Sequence, residues 1–238
     1  MWLLGNKVLV KDSGLLEGCC DYHSHLLPGV DDGVERMAET LKILDLWEEA
    51  GMQEVWLTPH IMEEVPNTPV ELRNGFEELT NRYTGSVRLH LAAEHMLDGL
   101  FKQRLADGQV MTIGKEQKRL LVETSYYNPP MNMAALIEAV KEKGLIPVLA
   151  HPERYRYMAV EDYAKWKAGG VLLQLNMPSL VGMYGPEVQR KAEELLKKGM
   201  YDCVGTDTHS LGFAEDFMEG MMKKQTVRAV RDIFLDHE

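Results

Sequence analysis

Histidines and carboxylates recur in this chain directly after short apolar runs. His23 and His25 stand two residues apart, a spacing that in extended chain points both imidazoles to one side, and the loop Leu27-Pro28-Gly29-Val30-Asp31-Asp32-Gly33 follows with two carboxylates. Further along come Thr58-Pro59-His60, Ala93-Glu94-His95, Glu123-Thr124, His151-Pro152-Glu153-Arg154 and Asp207-Thr208-His209. Imidazole and carboxylate donors without thiolate suit Zn, Mn or Fe, and they outnumber what one tetrahedral ion takes. More than one metal ion is implied. Taken singly, a His or Glu at a strand end is an ordinary capping or solvated residue. The weight therefore rests on joint placement: five of the eight histidines, His23, His25, His60, His151 and His209, stand at such ends.

Other chemistries fail on inspection. The sequence holds no GxSxG elbow, Walker A loop or HExxH helix. A cysteine-dependent phosphatase needs an arginine six positions after its cysteine, but His25, Leu26 and His209 stand six positions after Cys19, Cys20 and Cys203. His90 shares the strand parity of Glu94 but lies earlier, as a core or hydrogen-bonded histidine, and His95 has the opposite parity, for a supporting role at most. The 15 methionines read as packing.

The elements that must position the donors alternate. Apolar runs at 18–22, 54–57, 87–91, 120–122, 146–150, 171–175 and 202–205 predict seven strands, separated by helical patterns near 35–50, 69–83, 97–106, 131–143, 160–168, 186–198 and 213–236. This is the βαβ signature of a parallel sheet. An open sheet gathers ligands mainly at its switch point, whereas a closed barrel brings every strand's C-terminal end to one mouth. Donors at six of seven strand ends favour the barrel. No linker divides the 238 residues, so residues 18–238 read as one domain preceded by a short extension, 1–17.

Composition narrows the partners. A net charge of -11, from 26 Lys and Arg against 37 Asp and Glu, argues against nucleic acid, which is held by clustered cations. No apolar run is long enough to embed the chain in a membrane, the first residues lack a secretory pattern, and three cysteines make no even disulfide framework, so a cytoplasmic address is expected.

Taken together, Asp21-Tyr22-His23-Ser24-His25-Leu26-Leu27-Pro28-Gly29-Val30-Asp31-Asp32-Gly33, Thr58-Pro59-His60, Ala93-Glu94, His151-Pro152-Glu153-Arg154-Tyr155 and Gly205-Thr206-Asp207-Thr208-His209 resemble the polymerase and histidinol phosphatase (PHP) superfamily. The pattern is most similar to its bacterial tyrosine phosphatases associated with capsule and exopolysaccharide. The resemblance spans about residues 18–210 in the right order. It implies an α/β fold, a distorted (β/α)7 TIM-like barrel, with three divalent metal ions, Mn, Zn or Fe. By motif, His23, His25, Glu94 and Asp207 would hold one ion, Glu94, Glu123 and His151 a second, and Asp32, His60 and His209 the third, with Asp31 the alternative to Asp32.

Arg154 matches the family's phosphate-binding arginine, and Arg154, Asp207 and His209 are the residues expected to act on the phosphoryl group, His209 by protonating a poor leaving group. The implied substrate is a phosphotyrosine protein, a tyrosine kinase of polysaccharide export, and a homo-oligomer stays open. The alternatives are a phosphatase of histidinol phosphate or other small esters, and a non-catalytic metal-binding module. One departure stands out: relatives commonly carry another arginine shortly after the final DxH, and Ser210-Leu211-Gly212-Phe213-Ala214-Glu215 contains none. Tyr22, Tyr126, Tyr127, Tyr155 and Tyr157 either rim the mouth for a phosphotyrosine ring or pack between loops.

Overall fold

The computed structural model describes residues 6–235; residues 1–5 of the expected extension and 236–238 of the expected domain lie outside it. In chain order the elements are β1 (Lys7–Leu9), β2 (Cys20–Ser24), α1 (Met37–Glu49), β3 (Glu54–Leu57), β4 (His60–Ile61), α2 (Pro69–Arg82), β5 (Arg88–Leu91), β6 (Glu94–Met96) and α3 (Phe101–Ala106). There follow β7 (Arg119–Glu123), α4 (Met133–Glu142), β8 (Ile146–Ala150), α5 (Val160–Ala168), β9 (Leu172–Asn176), α6 (Pro186–Lys197), β10 (Cys203–Gly205), α7 (Leu211–Met218), β11 (Met221–Lys223) and α8 (Lys224–Leu235).

Two helices start at a side-chain cap, α2 at Thr68 and α7 at Ser210. Thr68 and Glu71 form a reciprocal capping box ahead of α2, with Pro69 in its first turn. In α1 the buried Thr40, Ile43, Leu44 and Trp47 share one face, toward the sheet.

All seven expected strand positions are present, but the second and third are each broken in two. Pro59 has no N–H to give a ladder, and the chain steps out at Thr58-Pro59 between β3 and β4 and at Ala92-Ala93 between β5 and β6. The parallel ladder therefore falls into two sheets, β2-β3-β5 and β10-β9-β8-β7-β6-β4. They meet through the broken strands, and again where β10 lies against β2: the Asp207 N–H donates to the His23 carbonyl at 2.8 Å and the His25 N–H to that of Thr208 at 3.0 Å. Buried Asp21 locks this seam, accepting the Thr206 N–H at 2.9 Å and the Thr206 hydroxyl at 2.6 Å. The result is an α/β fold with a curled sheet whose strand exits face one mouth.

The C-terminal region departs from expectation. The helical pattern over 213–236 is two helices, α7 and α8, split by β11, which pairs antiparallel with β1 so that Lys7 faces Lys223 and Leu9 faces Met221. Gly220 allows the break, since a Cβ there would stand 2.8 Å from the Val181 Cβ. The expected N-terminal extension thus supplies a strand to a ribbon with the end of the chain.

Candidate metal centre

The exit of β2 builds the middle of the site. Its ladder with β3 slips between Asp21 and Ser24, an irregularity of the kind that re-aims side chains. His23 and His25 are both fully buried with their Nε2 atoms 3.1 Å apart. Glycine makes room for them: a Cβ on Gly205 would stand 2.5 Å from the His23 Cβ, and one on Gly33 would overlap the His25 carbonyl oxygen. Each ring is aimed by an acceptor, His23 Nδ1 lying 3.0 Å from Gln174 Oε1 and His25 Nδ1 2.8 Å from Asp31 Oδ2. An oxygen at Nδ1 keeps the proton there and leaves the Nε2 lone pair for the centre. Asp31 is occupied by this task, for it also accepts the His60 and Gly33 N–H groups, each at 3.0 Å. Asp32 instead sets Oδ1 3.4 Å from His60 Nε2 and 3.7 Å from His209 Nε2.

The other exits close around this pair. Glu94 lies centrally, with Oε2 3.2 Å from His23 Nε2, 3.4 Å from His25 Nε2 and 3.2 Å from His60 Nδ1, and Oε1 3.1 Å from His151 Nε2. Glu123 Oε1 approaches His60 Nδ1 at 3.1 Å, and Asp207 Oδ1 sits 3.4 Å from Nε2 of both His23 and His25. The His209 ring stacks on His25 at 4.1 Å, with Nδ1 2.7 Å from the Asp207 carbonyl. His151 and Asp207 leave their strands in the left-handed region, φ 34° and 52°, a conformation costing a non-glycine residue roughly 1–2 kcal/mol.

All nine residues expected as ligands are therefore brought together. Their donor atoms form four overlapping groups, each within 4.8 Å: His25, Asp32, His60 and His209; His23, His25 and Asp207; His23, Glu94 and His151; His60, Glu94 and Glu123. The overlap differs from the expected allotment in drawing His60 toward Glu94 and Glu123, in setting His25 with Asp32, His60 and His209, and in grouping His151 with His23 and Glu94 rather than with Glu123.

The donors fit metal ions. His60 Nδ1, Glu94 Oε2 and Glu123 Oε1 are buried without a hydrogen-bond partner, and each such group costs about 1–3 kcal/mol if left unmatched. The charge balance agrees. Burial alone would raise Glu94 and Asp207, yet neighbouring imidazoles, His23 foremost, hold both well below the usual carboxylate range. Burial and His25 pull His60 down, but the nearby carboxylates of Asp32, Glu123 and Glu94 push it up to about 10. Such a cluster calls for positive charge, which cations supply.

Arg154 borders the centre. It ends a 3-10 turn, Pro152–Arg154, anchored by buried Glu153, which accepts the Asn176 N–H at 3.0 Å, the Ser179 hydroxyl at 2.8 Å and the Tyr201 hydroxyl at 3.0 Å. Arg154 Nη1 donates to Asp207 Oδ2 at 2.6 Å, and its guanidinium lies over the rings of Tyr126 and Tyr184, 4.3 Å from each centroid. Asn176 Nδ2 donates to Asp207 Oδ2 at 2.9 Å and to the Tyr184 hydroxyl at 3.1 Å.

The remaining candidates stand apart. His90 stacks on Trp56 at 4.6 Å and pairs with Glu54 at 3.0 Å. Buried His95 accepts the Met111 N–H at 3.1 Å, and burial lowers its pKa to about 4. Tyr22 lines a cavity with Gly18, Cys20, Glu54 and Cys203 at the strand starts, away from the mouth. Tyr155 is fully buried and Tyr157 bonds Thr124 at 2.5 Å, which leaves Tyr126 and exposed Tyr127 of the five tyrosines for the rim. Four contributors escaped the sequence reading: Gln174 and Asp31 as aiming residues, and Asn176 and Tyr184 beside Arg154. Gln174 alone had a signal, as a lone amide within Val171-Leu172-Leu173-Gln174-Leu175.

Comparison with known proteins agrees in extent. A family described as capsular polysaccharide synthesis, CpsB/CapC, matches residues 19–235. The tyrosine-protein phosphatase YwqE of Bacillus subtilis is 27% identical over 197 residues, 80% of this chain and 77% of that protein. The tyrosine-protein phosphatase CpsB of Streptococcus pneumoniae is 23% identical over 236 residues, 91% of this chain and 95% of that protein. A crystal structure from work on YwqE and CpsB, described as unique metal-dependent tyrosine phosphatases, shares the fold with a TM-score of 0.76 at 23% identity, covering 91% of this chain and 86% of that one.

Proposed function

The chain belongs to the CpsB/CapC family of capsular polysaccharide synthesis, and from that premise we propose that it is a metal-dependent protein-tyrosine phosphatase whose substrate is a tyrosine kinase of capsule or exopolysaccharide export. The observation that carries this reading is the convergence of nine nitrogen and oxygen donor residues, seven of them buried, with one arginine at their edge. A phosphate monoester is a dianion that repels a nucleophile, and such a centre answers that charge.

In this reading the curled sheet is a distorted (β/α)7 barrel, formed by residues 18–238 after the extension 1–17. Three ions, Mn, Zn or Fe, are held by His23, His25, Glu94 and Asp207, by Glu94, Glu123 and His151, and by Asp32, His60 and His209. Asp32 is preferred over Asp31 because Asp31 is engaged with His25 and with two backbone N–H groups. When bound, the ions lower the pKa of water toward 7 and neutralise phosphoryl oxygens.

The protein's own groups do the rest. Gln174 and Asp31 keep His23 and His25 in the tautomer that offers Nε2. Arg154 presents its remaining N–H donors to the non-bridging phosphoryl oxygens. Burial and the neighbouring His25 hold His209 below its usual pKa, which suits a neutral nitrogen donor better than a store of protons. A tyrosine phenolate, with a pKa near 10, leaves with little help from it. Among the described residues no helix is long and apolar enough to cross a membrane. Three free thiols support a reducing, cytoplasmic setting.

The test is a substrate panel on protein stripped with chelator and reloaded with one metal at a time. A phosphotyrosine peptide is expected to be hydrolysed at least about tenfold faster, in kcat/KM, than a phosphoserine peptide or histidinol phosphate. Preference for histidinol phosphate would move the function to small esters, and no turnover with any metal would make the chain a binding module.

A further inference from the structure

Arg154 does not stand alone in the mouth; it packs against an aromatic cluster. Its Cζ lies over the rings of both Tyr126 and Tyr184, 4.3 Å from each centroid. The cluster continues beyond each ring: Tyr155 lies by Tyr126 at 6.2 Å with an interplanar angle of 27°, and Phe213 lies by Tyr184 at 6.2 Å. Phe213 belongs to the segment Ser210-Leu211-Gly212-Phe213-Ala214-Glu215. That segment caps and opens α7, Ser210 Oγ accepting the Phe213 N–H at 3.2 Å.

Two rings packed against the guanidinium restrict its movement out of its own plane. Within that plane one edge is fixed by Asp207, and Asn176 ties the same Asp207 oxygen to the Tyr184 hydroxyl. Among the described residues Asp207 is the one side-chain acceptor of Arg154, so the rest of the planar fork is left to meet an anion edge-on.

We propose that Tyr126 and Tyr184 are the positioning residues for the phosphate-binding arginine, a clamp of two rings that holds its guanidinium so that the free N–H edge meets the phosphoryl group. The proposal rests on the phosphatase reading above, but it concerns binding of the phosphate group itself. Planarity is its essential requirement. A lysine ammonium carries the same charge but no flat face to lie on rings and no fork to present.

The experiment measures binding of inorganic phosphate, the reaction product, to the metal-loaded protein by calorimetry, beside KM and kcat on a phosphotyrosine peptide and metal content by elemental analysis. Tyr126→Leu and Tyr184→Leu are each expected to weaken phosphate binding by about fivefold to thirtyfold, the range for a cation lying on a ring, and to raise KM more than they lower kcat. Metal content should stay at the wild-type value. Phenylalanine at either position keeps the ring and should restore most of the affinity. Arg154→Lys should bind phosphate as weakly as Arg154→Ala.

Leucine variants that bind phosphate like the wild type with full metal content would overturn the clamp while leaving the phosphatase reading intact. So would an Arg154→Lys variant that binds normally. If one leucine variant fails to fold by circular dichroism, the other and Arg154→Lys decide the matter. A metal-loaded wild type that binds no phosphate at all would remove both readings together.

Discussion

Arg154 separates binding of the phosphoryl group from binding of the metals, because it touches the centre only through Asp207 Oδ2. Arg154→Ala is expected to cut kcat by an amount worth about 2–4 kcal/mol, as for other lost donors to developing negative charge, with metal content unchanged by elemental analysis. Wild-type kinetics in that variant would reduce the arginine to an ion-pair partner of Asp207. The thiols give a complementary test. Burial pushes Cys203 up to about 12 and raises Cys19 and Cys20 as well, so none is an available thiolate near neutral pH. A Cys19→Ser, Cys20→Ser, Cys203→Ser triple variant, checked for folding by circular dichroism, should keep its turnover, whereas chelated wild type should lose it. A folded, metal-loaded but inactive triple variant would reopen thiol chemistry. At this scale the sequence was most legible for donors that end strands, since position and residue type coincide there. It was silent on Tyr184, which reaches Arg154 from a loop with no periodicity to mark its direction, and it could not divide labour between Asp31 and Asp32, because the bonds that distinguish them, to His25 Nδ1 and to the His60 N–H among others, are made only in the folded chain.

Among the elements, β10 carries its consequence in one small residue. A Cβ on Gly205 would stand 2.5 Å from the His23 Cβ and 2.7 Å from Gln174 Nε2, so either the seam between β10 and β2 opens or His23 leaves its place. Gly205→Ala is expected to destabilise the protein by about 2 kcal/mol, as overpacking of a filled interior does, and to lower metal content, read by denaturant unfolding and elemental analysis. Unchanged stability and loading would mean that the seam yields freely. Strand and helix positions were legible from apolar runs and helical periodicity. What escaped were departures from regularity. The breaks at Thr58-Pro59 and Ala92-Ala93 depend on which strand lies alongside, and β11 was hidden inside a helical pattern because its three residues gain their state only by pairing with β1.

For the whole molecule, the inward concentration of His23, His25, His60, Glu94, Glu123 and Asp207 makes folding and metal loading one linked equilibrium. Ions that bind only the folded chain stabilise it in proportion to their excess over Kd, about 2.7 kcal/mol per site at a hundredfold excess. In a chain of this size that raises Tm by roughly 5–10 °C. Thermal melts with chelator and then with Mn, Zn or Fe should show that rise and rank the metals; identical melts would show that the donors are balanced without ions. The α/β class and the convergence on one mouth were readable from the alternation of elements and the donors at strand exits, while the split into two sheets was not. The seam between β2 and β10 also sets a schedule for biosynthesis. The first core strand finds its last neighbour only after Thr208 has been made, and donors from His23 to His209 are drawn from nearly the whole length of the chain. A nascent chain on the ribosome therefore holds its early histidines in waiting, and a product stopped before residue 203 lacks both the strand that closes the seam and two of the nine donors. The full set of nine donors can therefore assemble only once His209 has been made, so a centre loaded through all nine reports a chain translated at least that far.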